Sequence, residues 1–422
     1  MGDLIDELEW RGLIAQSTGL NELREAFNSG RITFYCGFDP TAPSLHHGHL
    51  VQLVLMRHLQ LAGHRPVALV GGATGMIGDP RMSGERTLNP KDVVAQWTER
   101  LRSQIAPFLS FEGENAAILV NNLEWTAELT AIDLLRDIGK YFRLGTMLAK
   151  DTVARRLASD EGISYTEFSY SLLQANDFRE LRRRYGCVLQ TGGNDQWGNL
   201  IAGVDLIRKS DGDVVHVLTT PLITRSDGTK FGKSEGGAVW LAPDMLSPYS
   251  FFQFWLNTDD TDVVHYLKVF TFLQHEEIAE LGREVRELPF ARAAQRQLAR
   301  AVTTLVHGAE ATADVERASR ALFGSDDLAA LPGPVLADAV SHLPDGVVTV
   351  GETAMVDLLL ATGLEQGRSA ARRTIASGGA YLNNEKISDE DAVLTPSDVL
   401  PGGFVLVRKG RRTLAVGRVD RP

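Results

Sequence analysis

The sequence predicts a doubly wound α/β fold with a parallel sheet, followed by an all-α domain and a small α+β domain. Three observations carry this. Short continuous apolar runs, 67–71 (VALVG) and 116–121 (AAILVN), alternate with helical patterns such as 90–109; such alternation marks βα units around a buried parallel sheet. Glycine-rich loops follow the apolar runs, GGATGMIGDP after the first and TGGNDQWGN within 188–207; ligands of such sheets sit at the carboxyl ends of the strands. From about residue 351 the pattern changes to two short helices and a terminal hairpin.

At 422 residues the chain is too long for one core, so two or three domains are expected. Hydrophobic residues are 44% and charged residues 23%, ordinary for a globular protein. No apolar run is long enough to span a bilayer, and the acidic, amphipathic N-terminus does not read as a secretory signal. Two cysteines, Cys36 and Cys187, are too few for a disulfide framework or a zinc site. A reducing, cytoplasmic location is expected, with no protein-bound metal or prosthetic group. A net charge of −11 argues against a protein that coats nucleic acid non-specifically, while leaving room for local basic patches.

Residues 1–30 read as helices. The stretch 35–50, YCGFDPTAPSLHHGHL, reads as strand, tight turn and helix: 32–35 are β-formers, Gly37, Pro40 and Pro43 break the chain, and apolar periodicity begins near Leu45. His46 and His49 then share one face at a helix start, where backbone N–H groups and the helix dipole favour an anion. Gly48 lets a flat ligand approach. The bland alternative is a helix that begins with histidines. Residues 123–190 are mostly helical and interrupt the sheet. Within them Tyr170, Gln174 and Asp177 recur on one helical face. Tyr170 and Gln174 suit an ammonium and Asp177 a hydroxyl donor, although a solvent-facing stripe has the same spacing. In the loop 192–196, Asp195 and Gln196 could meet a ribose hydroxyl or a carboxylate, or form a plain turn. Residues 214–218 read as a strand, and 222–237 as a glycine-, serine- and lysine-rich loop holding KFGKS. Its two lysines could fold over a polyphosphate. The chain has neither a P-loop nor a GxGxxG fingerprint.

From 248 to 331 the pattern is helical; Pro289 opens one helix and Gly308 ends it. The expected domains are 1–240 with a helical insertion at 123–190, a helical domain at 241–335, a Pro- and Gly-rich linker at 336–350, and a last domain at 351–422. In that last domain a turn at Asn383-Asn384 and a hairpin folding near Lys409-Gly410 are expected.

HHGH followed about 180 residues later by KFGKS resembles the HIGH and KMSKS signatures of class I aminoacyl-tRNA synthetases. The surrounding words YCGFDPTA, GGATGMIGDP, SYSLLQANDF and GGNDQWGN resemble the bacterial tyrosyl-tRNA synthetases, and RSAARRTIASGGAYLNNEKI resembles their ribosomal-protein-like RNA-binding domain. The resemblance covers nearly the whole chain. It implies a tyrosine–tRNA ligase that forms tyrosyl-adenylate from L-tyrosine and ATP, accompanied by Mg2+, and passes the tyrosyl group to the 3′ end of a tRNA. Tyr35 and Asp177 would contact the phenol. Asp79, Tyr170 and Gln174 would hold the α-ammonium, and Asp39, Gln190 and Gln196 would complete the pocket. Gly37 and Asp195 would meet the ribose side. Thr41, His46, Gly48 and His49 would contact ATP, and Arg86, Lys230, Lys233 and Ser234 would stabilise pyrophosphate. The resemblance also implies a helical anticodon-binding domain at 241–335 and a homodimer formed through 123–165.

Three departures stand out. His47 replaces the usual apolar residue of the first motif, and points about 100° away from His46 on a helix. KFGKS replaces KMSKS. The segment 80–88, PRMSGERTL, has Arg81 and Arg86 but no lysine. Candidate tRNA-phosphate contacts are Arg408, Lys409, Arg411, Arg412, Arg418 and Arg421 in the tail, Arg368, Arg372 and Arg373 on one helix, and a stripe of Arg292, Arg296 and Arg300. The alternatives are a tryptophanyl-tRNA synthetase and a non-catalytic RNA-binding relative.

Overall fold

The computed structural model describes residues 3–81, 84, 87–160, 162–228, 231–234, 237–322, 327–410 and 413–420, with backbone alone at 233, 234 and 237. It forms two compact units, 1–245 with 258–298 and 246–257 with 299–422.

The first unit is built on a six-stranded sheet. Its strands are β1 (Gln16–Ser17), β2 (Thr33–Phe38), β3 (Arg65–Val70), β4 (Ile118–Asn121), β5 (Cys187–Gly193) and β6 (His216–Thr220), in the order β1-β6-β5-β2-β3-β4. All pairings are parallel except that of β1, which adds an antiparallel edge along β6. That edge strand lies in the region expected to be helical. It is two residues long and held by long-range pairing, so it has no local pattern. β6 runs two residues further than 214–218 suggested. The strand order reverses between β2 and β5, where Tyr35 lies opposite Gln190. The loops leaving these two strands therefore flank one crevice at the switch point of the sheet.

The helix His47–Leu61 covers one face. Leu50, Val51, Leu53, Val54, Leu55, Met56 and Leu59 are all buried, each contributing about 1.5–3 kcal/mol of apolar transfer energy. The other face meets a cluster that includes Tyr35, Val67, Leu69, Val120, Trp125 and Phe178. The described part of the segment 123–185 is mostly helical, in a series of short helices. It ends in the helix Tyr165–Tyr185, which Ser164 caps by accepting from the Glu167 N–H and Gly186 terminates in a left-handed conformation (φ +65°). The loop around KFGKS carries a two-stranded hairpin of β7 (Lys233–Ser234) and β8 (Gly237–Ala238).

Arg292 stands outside the helix expected to carry it. It is left-handed (φ +48°) and donates to the Thr258 carbonyl at 3.1 Å; the helix proper is Ala293–Leu322, broken at Gly308 (φ +88°). The three-arginine stripe is thus not one helical face.

In the second unit the sheet order is β11-β10-β12-β13-β9, built from β9 (Asp345–Val348), β10 (Ala380–Leu382), β11 (Glu385–Lys386), β12 (Phe404–Lys409) and β13 (Thr413–Val419). Asn383 and Asn384 both take positive φ in the β10–β11 turn. The stretch 336–350, expected as a linker, instead holds most of the helix Gly333–Ala339 and β9, which pairs parallel with β13 from Asp345 to Val348. Prolines and glycines mimic a linker here. Pro334 sits in the first helical turn, and a Cβ on Gly346 would collide with the Ala361 carbonyl.

Several histidines are half-buried and neutral at pH 7. Burial, with Arg11 nearby, pushes His58 down to about 3, and burial pushes His307 down to about 4 from an ordinary 6.5. The unfolded chain therefore binds more protons than the folded one between these values and 6.5, so stability falls as pH drops through that window. Melting temperature should decline from pH 6.5 to 4, and His307→Phe should flatten part of the decline. A melting temperature constant across that range would contradict it.

Candidate active site

A carboxylate at the carboxyl end of β2 organises the crevice. Asp39 accepts from the Tyr170 hydroxyl at 2.6 Å on one oxygen and from the Thr74 hydroxyl at 2.6 Å on the other. Thr74 accepts in turn from the Asn122 amide at 2.9 Å, and the same amide donates to Asp177 at 2.9 Å. Trp125 donates its indole N–H to the second oxygen of Asp177 at 2.8 Å. Four segments are tied by this chain: the end of β2, the glycine-rich turn after β3, the end of β4 and the helix Tyr165–Tyr185. The turn has to be glycine. A Cβ on Gly71 would stand closer than 3.0 Å to both Asp39 and Thr74, and one on Gly75 would overlap Pro40.

Burial, chiefly, pushes Asp177 up to about 7, against the two hydrogen bonds from Asn122 and Trp125 that favour its charge. Burial, with Asp177 nearby, also raises Tyr35 well above the usual phenol. Tyr35 packs against Phe178 at 5.2 Å. Three polar atoms buried here, the Tyr35 hydroxyl and the side-chain carbonyls of Gln174 and Gln190, make no hydrogen bond to the described residues.

Beside them lies a second cluster. Asp79 accepts from Gln196 at 3.1 Å and from Asn199 at 3.0 Å; Asn199 also donates to Gln196, and accepts from Lys150, each at 3.1 Å. Lys150 is lowered by burial, which Asp79 partly offsets. Asp195 is exposed on the same loop. Downstream of Asp79, the buried Arg156 donates to the carbonyls of Arg81 and Gly84 and pairs with Glu167 at 2.9 Å.

The start of the helix His47–Leu61 is capped by histidines. His46 Nδ1 accepts from the Gly48 N–H at 3.1 Å, and His49 Nδ1 accepts from the His46 N–H at 3.1 Å. Burial lowers both rings, so they are neutral near pH 7 and carry their proton on Nε2. Each presents an N–H donor rather than a cation. The chain just after KFGKS pairs with this helix start: the His47 N–H donates to the Val239 carbonyl and the Leu241 N–H to the Leu45 carbonyl, both at 2.9 Å. Thr41 is exposed beside them, its N–H donating to the Asp39 carbonyl at 2.8 Å. Gly37 and Gly48 are exposed as well.

Of the residues expected from sequence, Tyr35, Asp39, Tyr170, Gln174, Asp177 and Gln190 line the region of the β2–β5 switch point. Asp79 joins Gln196 beside Asp195, and His46 joins His49. Arg86 and Lys230 lie outside the described residues, and Lys233 and Ser234 are described only in their backbone. Thr74, Asn122, Trp125, Lys150 and Asn199 escaped the sequence reading. They are single polar residues with no motif spacing, and their partners are distant in sequence.

Residues 28–324 match the family model of class I tRNA synthetases (W and Y). Residues 336–416 match the tyrosine–tRNA ligase SYY-like C-terminal domain. The tyrosine–tRNA ligase of Streptomyces avermitilis is 60% identical over 421 residues, 99% of each chain. This chain belongs to the tyrosine–tRNA ligase family of class I aminoacyl-tRNA synthetases. The enzyme of Streptomyces coelicolor is also 60% identical, over 98% of each chain. The solved structure of a C-terminally truncated mitochondrial tyrosyl-tRNA synthetase from Aspergillus nidulans superimposes with a TM-score of 0.69 at 33% identity, over 76% of this chain and 95% of that one.

The cysteines stand outside this polar machinery. Burial pushes both Cys36 and Cys187 up to about 12, so each is an unreactive thiol at neutral pH.

Proposed function

We infer that this tyrosine–tRNA ligase activates its amino acid at the switch point between β2 and β5, with the residues gathered there in distinct roles. The observation that carries this reading is the set of unsatisfied buried polar atoms beside Asp177. An apolar amino acid would strand them, whereas a phenol and an ammonium supply partners. Tyr35 and Asp177 meet the phenol. Asp79, Tyr170 and Gln174 hold the ammonium, and Asp39, Gln190 and Gln196 close the pocket. Gly37 and Asp195 face the ribose.

In the first step the tyrosine carboxylate attacks the α-phosphorus of ATP; a P–O bond forms to the carboxylate and the bond to the β-phosphate oxygen breaks, releasing pyrophosphate. A carboxylate is already a nucleophile at neutral pH, so the chemistry asks for no general base. The protein supplies position and electrostatic stabilisation. Thr41, Gly48 and the Nε2–H donors of His46 and His49 meet the phosphates, and Arg86, Lys230, Lys233 and Ser234 stabilise the leaving pyrophosphate. Mg2+ enters with ATP, held by phosphate oxygens. In the second step a hydroxyl at the 3′ end of tRNA attacks the activated carbonyl and AMP departs. Residues 241–335 serve the anticodon arm. In the 351–422 domain Arg368, Arg372, Arg373, Arg408, Lys409, Arg411, Arg412, Arg418 and Arg421 are the phosphate contacts. Arg408 also stacks on Tyr381 at 4.0 Å. The chain works in the cytoplasm. No described helix is long and apolar enough to cross a membrane.

A homodimer completes the assembly. Ile132, Leu135 and Leu144 project from the helical insertion with 67%, 56% and 66% of their surface exposed, a costly arrangement for a monomer and a usual one for an interface.

Purified protein should exchange pyrophosphate into ATP when tyrosine is added. Exchange with tryptophan alone would instead favour a tryptophanyl enzyme, and no exchange with any amino acid would contradict the activity. Asp177→Asn should reduce the tyrosine-to-phenylalanine ratio of kcat/KM by about 10-fold or more, the value of one buried charged hydrogen bond. Because Asp177 ionises near 7, tyrosine should bind wild type more tightly above that pH than below it, and the variant should lose the difference. An unchanged ratio would overturn the assignment of Asp177. Sedimentation at micromolar concentration should give twice the chain mass, reduced to one by Leu144→Asp; a single-chain mass for wild type would contradict the dimer.

A further inference from the structure

His47 and KFGKS are two departures from the class signatures, and they touch. The His47 ring meets Phe231 edge-on, 5.2 Å between centroids at 87°, and its ring N–H donates to the Phe231 carbonyl. Its Nδ1 is buried without a partner, so the donor is Nε2. On its other side lies the His46 ring, at 5.3 Å. Phe231 is itself buried, packed at a tilt against Tyr266 at 4.5 Å and near Phe270 at 6.1 Å. Next to it Gly232 is left-handed (φ +80°), and a Cβ there would overlap three atoms of the His47 ring, Cε1, Nε2 and Nδ1, all closer than 3.0 Å.

We propose that His47 is a positioning residue of the tyrosine–tRNA ligase site: its ring is a wedge that sets where Phe231 and Gly232 rest against the first signature. The inference rests on the reading of the two signatures as one site, and deepens it. The wedge fills the space that a Ser side chain would need in the second signature, so a glycine is required there as long as position 47 carries an imidazole. Replacing His47 by a small residue opens that space. The backbone bond from the His47 N–H to the Val239 carbonyl does not depend on the side chain, so the helix start survives the substitution.

The test is a double-mutant cycle read by tyrosine-dependent pyrophosphate exchange, with Gly232→Ala, His47→Ala and the pair. Gly232→Ala should lower kcat by about 10-fold or more while leaving the KM for tyrosine within about twofold, because the amino acid pocket is untouched. The double variant should be at least about fivefold faster than Gly232→Ala alone. The strain of a left-handed alanine is common to both, so the recovery reads only the collision with the ring. His47→Phe in place of His47→Ala keeps a planar ring at position 47 and should fail to rescue. A double variant slower than Gly232→Ala, or single effects that simply multiply, would overturn the wedge while leaving the ligase reading in place. No exchange by wild type would remove both.

Discussion

A partly buried carboxylate needs partners, and in this fold Asp39 obtains them from two other segments of chain. Its two oxygens are held by Tyr170 and Thr74. Through Thr74 and Asn122 the same network reaches Asp177 and Trp125. A strand end, a glycine turn, a second strand end and a long helix are fixed relative to one another by these polar contacts. Breaking one link strands a desolvated donor or acceptor at a cost of about 1–3 kcal/mol. The network therefore sets the geometry of the pocket as well as its polarity. Asp177 remains ionisable near neutrality because Asn122 and Trp125 oppose the effect of its burial.

The start of the helix His47–Leu61 is built on a different principle. Its histidines are neutral, and their Nδ1 atoms are spent on capping the helix His47–Leu61. Two Nε2–H donors are left beside a helix N-terminus, a fixed polar environment for an anion. In the proposed mechanism the positive charge that a departing pyrophosphate requires comes from the second signature instead. The backbone pairing of 239–241 with 45–47 brings the chain leaving that signature to the histidines. In the proposed mechanism the two halves of the chemistry are thus separated: the hydrogen-bonded network around Asp39 and Asp177 serves the amino acid, and the donors at the helix start serve the nucleotide.

Much of this was legible in the sequence. Apolar runs marked the parallel strands, and the glycine-rich loops after them marked the crevice. HHGH and the Tyr170–Gln174–Asp177 stripe had spacings that predict a shared face. The residues that complete the site had no such mark. Thr74 sits in a run read as a glycine loop, while Asn122 and Trp125 look like any polar and aromatic residue after a strand. Their roles come from partners 35 to 55 positions away. β9 was hidden for a similar reason: the prolines and glycines around it read as a linker, while its pairing with β13 is set by residues about 70 positions further on. Arg292 shows the opposite failure, a correct spacing defeated by one left-handed residue ahead of the helix.

Thr74 is the link between the two acidic ends of the pocket. It is 2% exposed, donates to Asp39 and accepts from Asn122. Thr74→Val keeps its shape and removes only the hydroxyl. Calorimetric titration with L-tyrosine tests the network directly. The affinity of the variant should fall by about 10-fold, the equivalent of one buried hydrogen bond, with far-ultraviolet circular dichroism unchanged. Equal affinity for wild type and Thr74→Val would contradict the claim that this hydrogen-bonded chain sets the tyrosine pocket.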